Sequence, residues 1–326
     1  MRRREFIKLL GGATAAWPFS VRAQQSAKPL IGFMSARSPD DTGPVLQAFL
    51  KGLGEFGFFD GHNVVIEYRW ARGEYDRLPA FAADLVQRRV NVLVATGGNS
   101  SAIAAKHATS TIPIVFVQIY DPKAAGFIQS LAHPGGNLTG PVANLKLLDK
   151  RLQLFKEIDP KAERILVLYD PHDPYSSGER ALAQNAAAPL QLTLVPREAA
   201  TEDDVKRVFA ELKPADVDAV IVASPHLQTN HPRLIIKLSE DAHLPVIGHR
   251  EAWVDWGALM SYSTDGDSAG PVAARYIDKI LKGARPGDLP VEELSTTVLA
   301  VNFKRARELG LNVPTSVEIR TDHKVN

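Results

Sequence analysis

The chain has 326 residues, of which 45% are hydrophobic and 23% charged, with 38 basic and 37 acidic side chains. Its basic residues are dispersed and form no stripe of the kind that nucleic-acid-binding surfaces need, so we expect no nucleic-acid partner. The sequence contains no cysteine, which excludes disulfides, thiol nucleophiles and cysteine-ligated zinc or iron–sulfur centres.

The first 23 residues have the three parts of a cleaved export signal. Arg3 and Arg4 precede a short apolar run, and residues 21–23 are typical of a signal-peptidase site. The paired arginines indicate a twin-arginine (Tat) signal, although Arg2 stands where such signals usually carry Ser or Thr. A membrane anchor is the alternative, but the run falls short of the ~20 apolar residues that span a bilayer. We therefore expect a soluble periplasmic protein after cleavage, by either the Tat or the Sec route.

Short buried strands alternate with amphipathic helices over the first half of the chain. The apolar pattern predicts strands at 30–34, 63–69, 92–94 and 114–117, and helices at 44–56, 79–88 and 101–108. Near-continuous apolar strands that alternate with helices are typical of a parallel sheet covered on both faces.

The second half repeats this plan. Strands are predicted at 165–168, 192–195, 219–222 and 245–247, and helices at 179–188 and from a capping box at Thr201 to residue 212. The tail adds a segment at 258–262, a helix at 269–281, a strand at 297–301 and a helix at 303–309, which is too little for a third domain. We predict an α/β fold of two doubly wound parallel-sheet lobes joined by about three crossover strands. The expected lobes are 28–141 with about 264–290, and 142–263 with about 291–326.

Ligands of open α/β sheets bind beyond the carboxyl ends of the strands, and the candidate binding residues follow from this rule. They are Ser35, Gly97, Gly98, Asn99, Ser100, Tyr120, Asp121, Asp170, Tyr175, Ser224, Arg250 and Trp253.

The segment 96–101 carries the sharpest local signal. Gly97 and Gly98 permit a tight turn, and Asn99 and Ser100 open a helix whose free N–H groups favour a carboxylate, with Ser35 assisting. An ordinary turn with a serine cap explains the same residues. On the first reading, Gly98→Val should exclude the ligand and leave the fold intact.

The other candidates concern the rest of the ligand. Asp170 suits an ammonium group, whereas Arg250 would matter more for a plain organic acid. Tyr120, Tyr175 and Trp253 lie near predicted strand ends and favour an aromatic or branched apolar ligand over a sugar. Packing in the core or between the lobes is the alternative role of these three rings.

Sequence motifs for catalysis are missing. The chain has no H-E-x-x-H and no G-x-S-x-G, and its Gly-Gly segment matches neither G-x-G-x-x-G nor a Walker loop. Asp170 and Asp173 could pair as acid and base, but beside prolines they are more typical of turns. We predict no catalytic residues, no metal site and no cofactor.

Several segments resemble one family, the ABC-transporter substrate-binding proteins that include tryptophan- and tyrosine-binding members. They are residues 31–35, 63–70, 75–79, 94–97, 109–116, 133–140, 259–262, 278–284 and 288–292. The resemblance implies a type I periplasmic-binding-protein fold that delivers a small ligand to an ABC permease in the inner membrane. The resemblance does not identify the ligand, because residues 118–120 and the loop 170–175 depart from the family pattern. No cysteine follows the signal, so a diffusible protein is expected and not a lipoprotein.

These observations together predict a monomeric periplasmic solute-binding protein for a small carboxylate-bearing ligand, an amino acid by preference. Two alternatives remain open at this point, a periplasmic hydrolase that uses the same cleft and a ligand-sensing accessory protein.

Overall fold

The computed structural model describes residues 28–117, 119, 121–143, 147–172, 176–213 and 215–326. The predicted signal at residues 1–23 and the candidates Tyr120 and Tyr175 lie outside these residues. Among the residues described, no helix has the length and apolar character needed to cross a membrane.

The first part of the chain builds one parallel sheet with its helices. In chain order the elements are β1 Leu30–Ser35, α1 Pro39–Glu55, β2 Val65–Trp70, α2 Leu78–Gln87, β3 Val92–Thr96, α3 Asn99–Ala108, β4 Ile114–Val117, β5 Leu138–Thr139 and β6 Pro141–Val142. The sheet order is β2-β1-β3-β4-β5, and every pair in it is parallel. We call this sheet and the helices packed on it the first lobe.

The remaining elements are α4 Leu147–Ile158, β7 Arg164–Tyr169, α5 Ser176–Ala187, β8 Thr193–Glu198, α6 Glu202–Glu211, β9 Ala219–Val222, α7 Pro225–Asn230, α8 Pro232–Asp241, β10 Ile247–Gly248, α9 Ala252–Asp255, β11 Met260–Thr264, α10 Gly266–Leu281, β12 Glu292–Glu293, β13 Thr297–Asn302, α11 Phe303–Glu308, α12 Thr315–Glu318 and β14 His323–Val325. They include the strands of a second sheet and two segments, α10 and β12, that return to the first lobe.

Within this second sheet, β8-β7-β9 are parallel and a bridge between Val220 and Val246 joins them to β10. The order then continues as β10-β11-β13-β14. One pair departs from the predicted parallel arrangement, because β13 runs antiparallel to β11. The second lobe is this sheet with its covering helices.

Alternation along the strands explains why both faces of each sheet are covered. In β1, Ile31 and Phe33 join one apolar cluster while Met34 joins the cluster on the opposite face. In β7, Ile165 and Leu166 divide in the same way. Since successive side chains of a strand point to opposite faces, a continuous apolar run requires helices on both sides.

The chain passes between the sheets three times, from β6 to α4, from β11 to α10 and from β12 to β13. β12 pairs with β6, and α10 packs against α1 of the first lobe. Three connections agree with the predicted number of crossovers. The lobe boundaries given above stay a prediction.

Most predicted elements are confirmed within a few residues. The capping box at Thr201 is present, with its hydroxyl oxygen accepting from Asp204 N. Helix α1 begins at Pro39, five residues before the predicted start, because proline is well tolerated in the first turn of a helix. Helices α4 and α8 were not predicted.

Candidate functional site

A cavity of about 350 Å³ lies between the two lobes. We call it the interlobe cavity. Its described lining residues come from the start of α1, from the crossovers and from the second lobe, and they are Arg37, Asp40, Val45, Ala143, Leu147, Arg151, Arg233, His249, Arg250, Glu251, Ala252, Trp256, Ser263, Thr264 and Gly266. The volume lies in the range of small-molecule sites.

Arginine dominates the polar lining. Arg151, on α4, donates from Nε to Tyr262 O at 2.7 Å and from Nη2 to His249 O at 2.9 Å. It thereby ties α4 to β11 and to the end of β10. These backbone acceptors orient its guanidinium, but they do not neutralise its charge.

Trp256 provides an aromatic wall that already carries two cations. The Arg233 Cζ atom lies 4.4 Å from the ring centroid, and the Arg250 Cζ atom lies 5.4 Å from it. Cation–π contact of this kind holds a guanidinium against the face of an aromatic ring. The guanidinium charge of both residues is thus kept beside the cavity.

His249 lies where these arginines meet. Burial lowers the pKa of its imidazole well below the usual value, and the charges of Arg151, Arg37 and Arg250 lower it further. The ring is therefore neutral at physiological pH. It adds hydrogen-bonding capacity to the cavity and no further positive charge.

Two carboxylates line the same cavity. Glu251 Oε1 lies 3.5 Å from His323 Nδ1 of β14, which provides a partner outside the cavity. Asp40 is exposed in the first turn of α1. The described lining thus combines four guanidiniums with two carboxylates, a charge distribution that suits an anionic group of a ligand.

The predicted Gly-Gly turn is present where β3 meets α3. Gly97 has φ +87°, and a Cβ there would lie 2.9 Å from Ala36 N and 3.0 Å from Ser35 Oγ. Gly98 is the N-cap of α3. Ser35 is fully buried, and its Oγ accepts from Arg37 N at 3.1 Å. The turn therefore packs against the loop that carries Arg37.

One expectation about this turn is wrong. Gly98 has φ +118° and ψ 177°, a region of backbone space that is essentially restricted to glycine. No atom lies within 4 Å of a Cβ added there, so Gly98→Val would meet no clash at Cβ, but its φ and ψ would strain the backbone of any residue with a side chain. It would not leave the fold undisturbed, as the sequence analysis expected.

The predicted residues of the second lobe divide into two groups. Arg250 lines the interlobe cavity. Asp170 and Ser224, both buried, lie at the ends of β7 and β9. Asp170 Oδ1 accepts from His172 N at 2.8 Å, and Ser224 Oγ accepts from Leu227 N at 3.3 Å as the cap of α7. Neither belongs to the described lining of the cavity.

The other candidates lie further apart. Asn99 is buried at the start of α3, and Ser100 lines a separate groove between α2 and α3. Asp121 is exposed, and its carboxylate accepts from Ala124 N at 2.9 Å. Trp253 is fully buried and packs in the core cluster that contains Leu166. Contact of any of these residues with a ligand stays a prediction.

Beside the cavity, the two lobes touch directly. Asn230 Nδ2 of the second lobe donates to Gly73 O of the first at 3.0 Å. The rings of Tyr75 and His226 lie 5.3 Å apart between centroids, and His226 Nδ1 lies 3.7 Å from Asp170 Oδ2. The structure therefore represents a closed arrangement in which Asp170 supports a lobe–lobe contact.

Of the described lining residues, only Arg250 was among the sequence candidates. The residues that were missed include Arg37, Arg151, His249 and Trp256. Arg37 and His249 stand at strand ends that the sequence did mark, so their position could have identified them. Arg151 lies on the unpredicted helix α4, and no local pattern points to it. Within the described part of the chain, no group of His, Asp and Glu is arranged to hold a metal ion.

The chain is similar to known proteins in sequence and in fold. A model of the family described as ABC transporter substrate binding protein matches residues 38–325. Among curated proteins, a tyrosine-binding protein of Clostridioides difficile (strain R20291) is 28% identical over 265 residues, which are 81% of this chain and 76% of the relative.

Solved structures agree on the fold. A conserved domain protein from Vibrio cholerae O1 biovar El Tor has a TM-score of 0.84 at 27% identity, with 91% of this chain and 99% of that chain covered. An ABC domain from Streptococcus pneumoniae in complex with L-Trp has a TM-score of 0.83 at 24% identity, with 92% and 100% covered. These similarities confirm the predicted two-lobed α/β fold.

Proposed function

Because the chain belongs to the ABC transporter substrate-binding protein family, we propose that it binds a small carboxylate-bearing ligand in the interlobe cavity and delivers it to the permease of an importer. The export signal predicted at residues 1–23 supports the periplasm as the site of action. A protein that closes two lobes over a solute and then opens has the motion such delivery requires.

The observation that carries the proposal is the basic lining of a cavity between two lobes. Arg37 comes from the first lobe, while Arg233 and Arg250 come from the second. A guanidinium offers a planar fork of donors that matches a carboxylate. A ligand with a carboxylate would therefore meet donors from both lobes.

An amino acid is the first candidate within this class. The relative from Clostridioides difficile is a tyrosine-binding protein, and the Streptococcus pneumoniae structure holds L-Trp. The sequence expectation of an aromatic or branched side chain agrees with these names. Trp253, one of the three rings on which that expectation rested, does not support it, because this side chain is fully buried in the core.

The test is a thermal-shift screen of the purified protein against the twenty amino acids, aromatic acids, dicarboxylates, hexoses and pentoses. A ligand that binds only the native state raises the melting temperature, by an amount set by its concentration relative to Kd. We expect shifts with one or a few carboxylates and none with the sugars. Shifts confined to sugars would refute the proposal.

Binding must also be separated from catalysis. The hit compound is incubated with the protein at equal concentration, and the mixture is analysed by mass spectrometry after several hours. We expect the compound to be recovered intact. Stoichiometric or greater turnover would favour the hydrolase alternative over a binding protein.

A further inference from the structure

The guanidinium of Arg37 lines the interlobe cavity, and the contacts described so far give it no role. Its Nε is buried, and it has no hydrogen-bond partner within the described structure. No carboxylate of the described residues forms an ion pair with it, including Asp40, three positions along the chain. A buried donor of a charged group without an acceptor is a costly arrangement.

The surroundings of Arg37 are cationic as well. Arg37, Arg151 and Arg250 all lie close enough to His249 to lower the pKa of its imidazole. Arg151 donates to two backbone carbonyl groups. Like charges gathered in a partly buried cavity repel one another unless an anion lies between them.

We propose that Arg37 is the anion anchor of the first lobe, and that Arg37 and Arg250 together bind the carboxylate of the ligand from opposite sides of the cavity. This inference rests on the proposed function and specifies which residues hold the ligand. Charge-assisted hydrogen bonds from two guanidiniums would satisfy the buried Nε and separate the cations.

The position of the two arginines also couples binding to closure. Arg37 follows β1 of the first lobe, and Arg250 follows β10 of the second. A carboxylate held by both contacts the closed form better than the open one. A ligand shifts a conformational equilibrium by its difference in affinity for the two states, so the carboxylate itself drives the lobes together.

A structural role is the competing explanation, and the backbone argues against it. Arg37 N donates to Ser35 Oγ, and Arg37 O accepts from Arg72 N. These bonds fix the loop without the guanidinium. Arg37→Gln therefore removes the charge and keeps the loop, whereas Arg151→Gln removes donors to His249 O and Tyr262 O and serves as the structural comparison.

The first measurement is isothermal titration calorimetry of wild type, Arg37→Gln and Arg37→Lys with L-tyrosine and L-tryptophan. Each amino acid is compared with its amide, in which the carboxylate is replaced by an uncharged carboxamide. We expect wild type to prefer the acids, and Arg37→Gln to bind them about 10- to 100-fold more weakly, since each ~1.4 kcal/mol is tenfold and charged hydrogen bonds lie near 1.5–3 kcal/mol. The variant should also lose the preference for acid over amide. Arg37→Lys should retain part of it. Unchanged affinity and preference in Arg37→Gln would overturn the inference.

The second measurement needs no ligand. The melting temperature of ligand-free Arg37→Gln should equal or exceed that of wild type, because an uncompensated cation is removed, while Arg151→Gln should melt lower. A fall in Arg37→Gln comparable to that of Arg151→Gln would assign Arg37 a structural role and overturn the inference. If neither amino acid binds any variant, the proposed amino-acid ligand is wrong. The melting temperatures of ligand-free Arg37→Gln and Arg151→Gln then decide alone whether Arg37 has a structural role.

Discussion

The pKa of His249 depends on the burial of its ring and on the charges around it. Burial and the charges of Arg151, Arg37 and Arg250 all lower the pKa of its imidazole. In the unfolded chain the same group has a pKa of about 6.5. Below that pH the unfolded state binds a proton that the folded state does not, so the free energy of unfolding decreases as the pH falls. Above it, this stability is fully present.

The resulting prediction compares wild type with His249→Gln. Between pH 7 and pH 5, the free energy of unfolding of wild type should decrease more steeply, by up to about 1.4 kcal/mol per pH unit for one proton. Urea denaturation at several pH values measures both slopes. Equal slopes in the two proteins would mean that His249 binds as many protons in the folded state as in the unfolded state.

At the residue scale, the sequence identifies positions better than roles. The carboxyl ends of β1, β3 and β10 were marked correctly as the rim of a site. Which side chain at each end reaches the cavity depends on packing: Ser35 points into a hydrogen bond with Arg37 N, and Arg37 itself lines the cavity. Trp253 was placed at the rim because it is aromatic, yet a large apolar ring near a strand end is equally suited to the core.

Two glycines determine how closely the helices α1 and α10 approach. A Cβ on Gly270 would lie 2.4 Å from Phe49 N and 2.5 Å from Ala48 C, and a Cβ on Gly52 would lie 2.8 Å from Pro271 Cα. These atoms belong to the backbone, so they cannot move away by a change of side-chain rotamer. The contact between these helices thus depends on the absence of a single methyl group on each side.

Gly270→Ala should therefore destabilise the protein by about 1–3 kcal/mol, as overpacking of a tight contact does. The control is Gly178→Ala in α5, where no atom lies within 4 Å of the added Cβ. That variant should gain about 0.5–1 kcal/mol, because alanine loses less backbone freedom in a helix. Denaturant unfolding of both variants gives the comparison, and a loss of equal size in Gly178→Ala would show that crowding is not the cause.

At the element scale, periodicity located most of the longer helices and every strand longer than three residues except β11, which was predicted only as a segment at 258–262. It missed α4, whose buried residues Leu147, Leu152 and Phe155 are separated by charged side chains. It also could not give the direction of β13. That strand returns from the first lobe after α10 and β12, and its antiparallel pairing with β11 follows from this path through both lobes and from no local pattern.

For the whole molecule, closure depends on few direct contacts between lobes. One is the hydrogen bond from Asn230 Nδ2 to Gly73 O, and another is the packing of Tyr75 on His226. A net hydrogen bond contributes about 0.5–1.5 kcal/mol. Because such a contact exists only when the lobes are closed, it contributes to ligand affinity and leaves the stability of each lobe unchanged.

Asn230→Ala should weaken ligand binding by about 2- to 10-fold, the equivalent of one hydrogen bond, and should increase the radius of gyration of the ligand-free protein. Titration calorimetry and small-angle X-ray scattering measure these effects. Asn63→Ala is the matched control, since its side chain bonds Phe59 N and Gly57 O within the first lobe. Asn63→Ala should lower the free energy of unfolding and leave ligand affinity unchanged. If Asn230→Ala instead lowered the free energy of unfolding and left affinity unchanged, a role of Asn230 in closure would be contradicted.

The passage of α10 from the second lobe back to the first also affects synthesis. One face of the first sheet packs in a cluster that joins Ile31 and Phe49 to Ala273 and Ile277 of α10. A ribosome makes the sheet long before it makes that helix, and folding of domains generally follows the growing chain. From the end of β5 until α10 has been made, the nascent protein therefore carries an apolar sheet face that α1 covers only in part. That face is the surface that a chaperone, or another nascent copy of the same chain, would meet first.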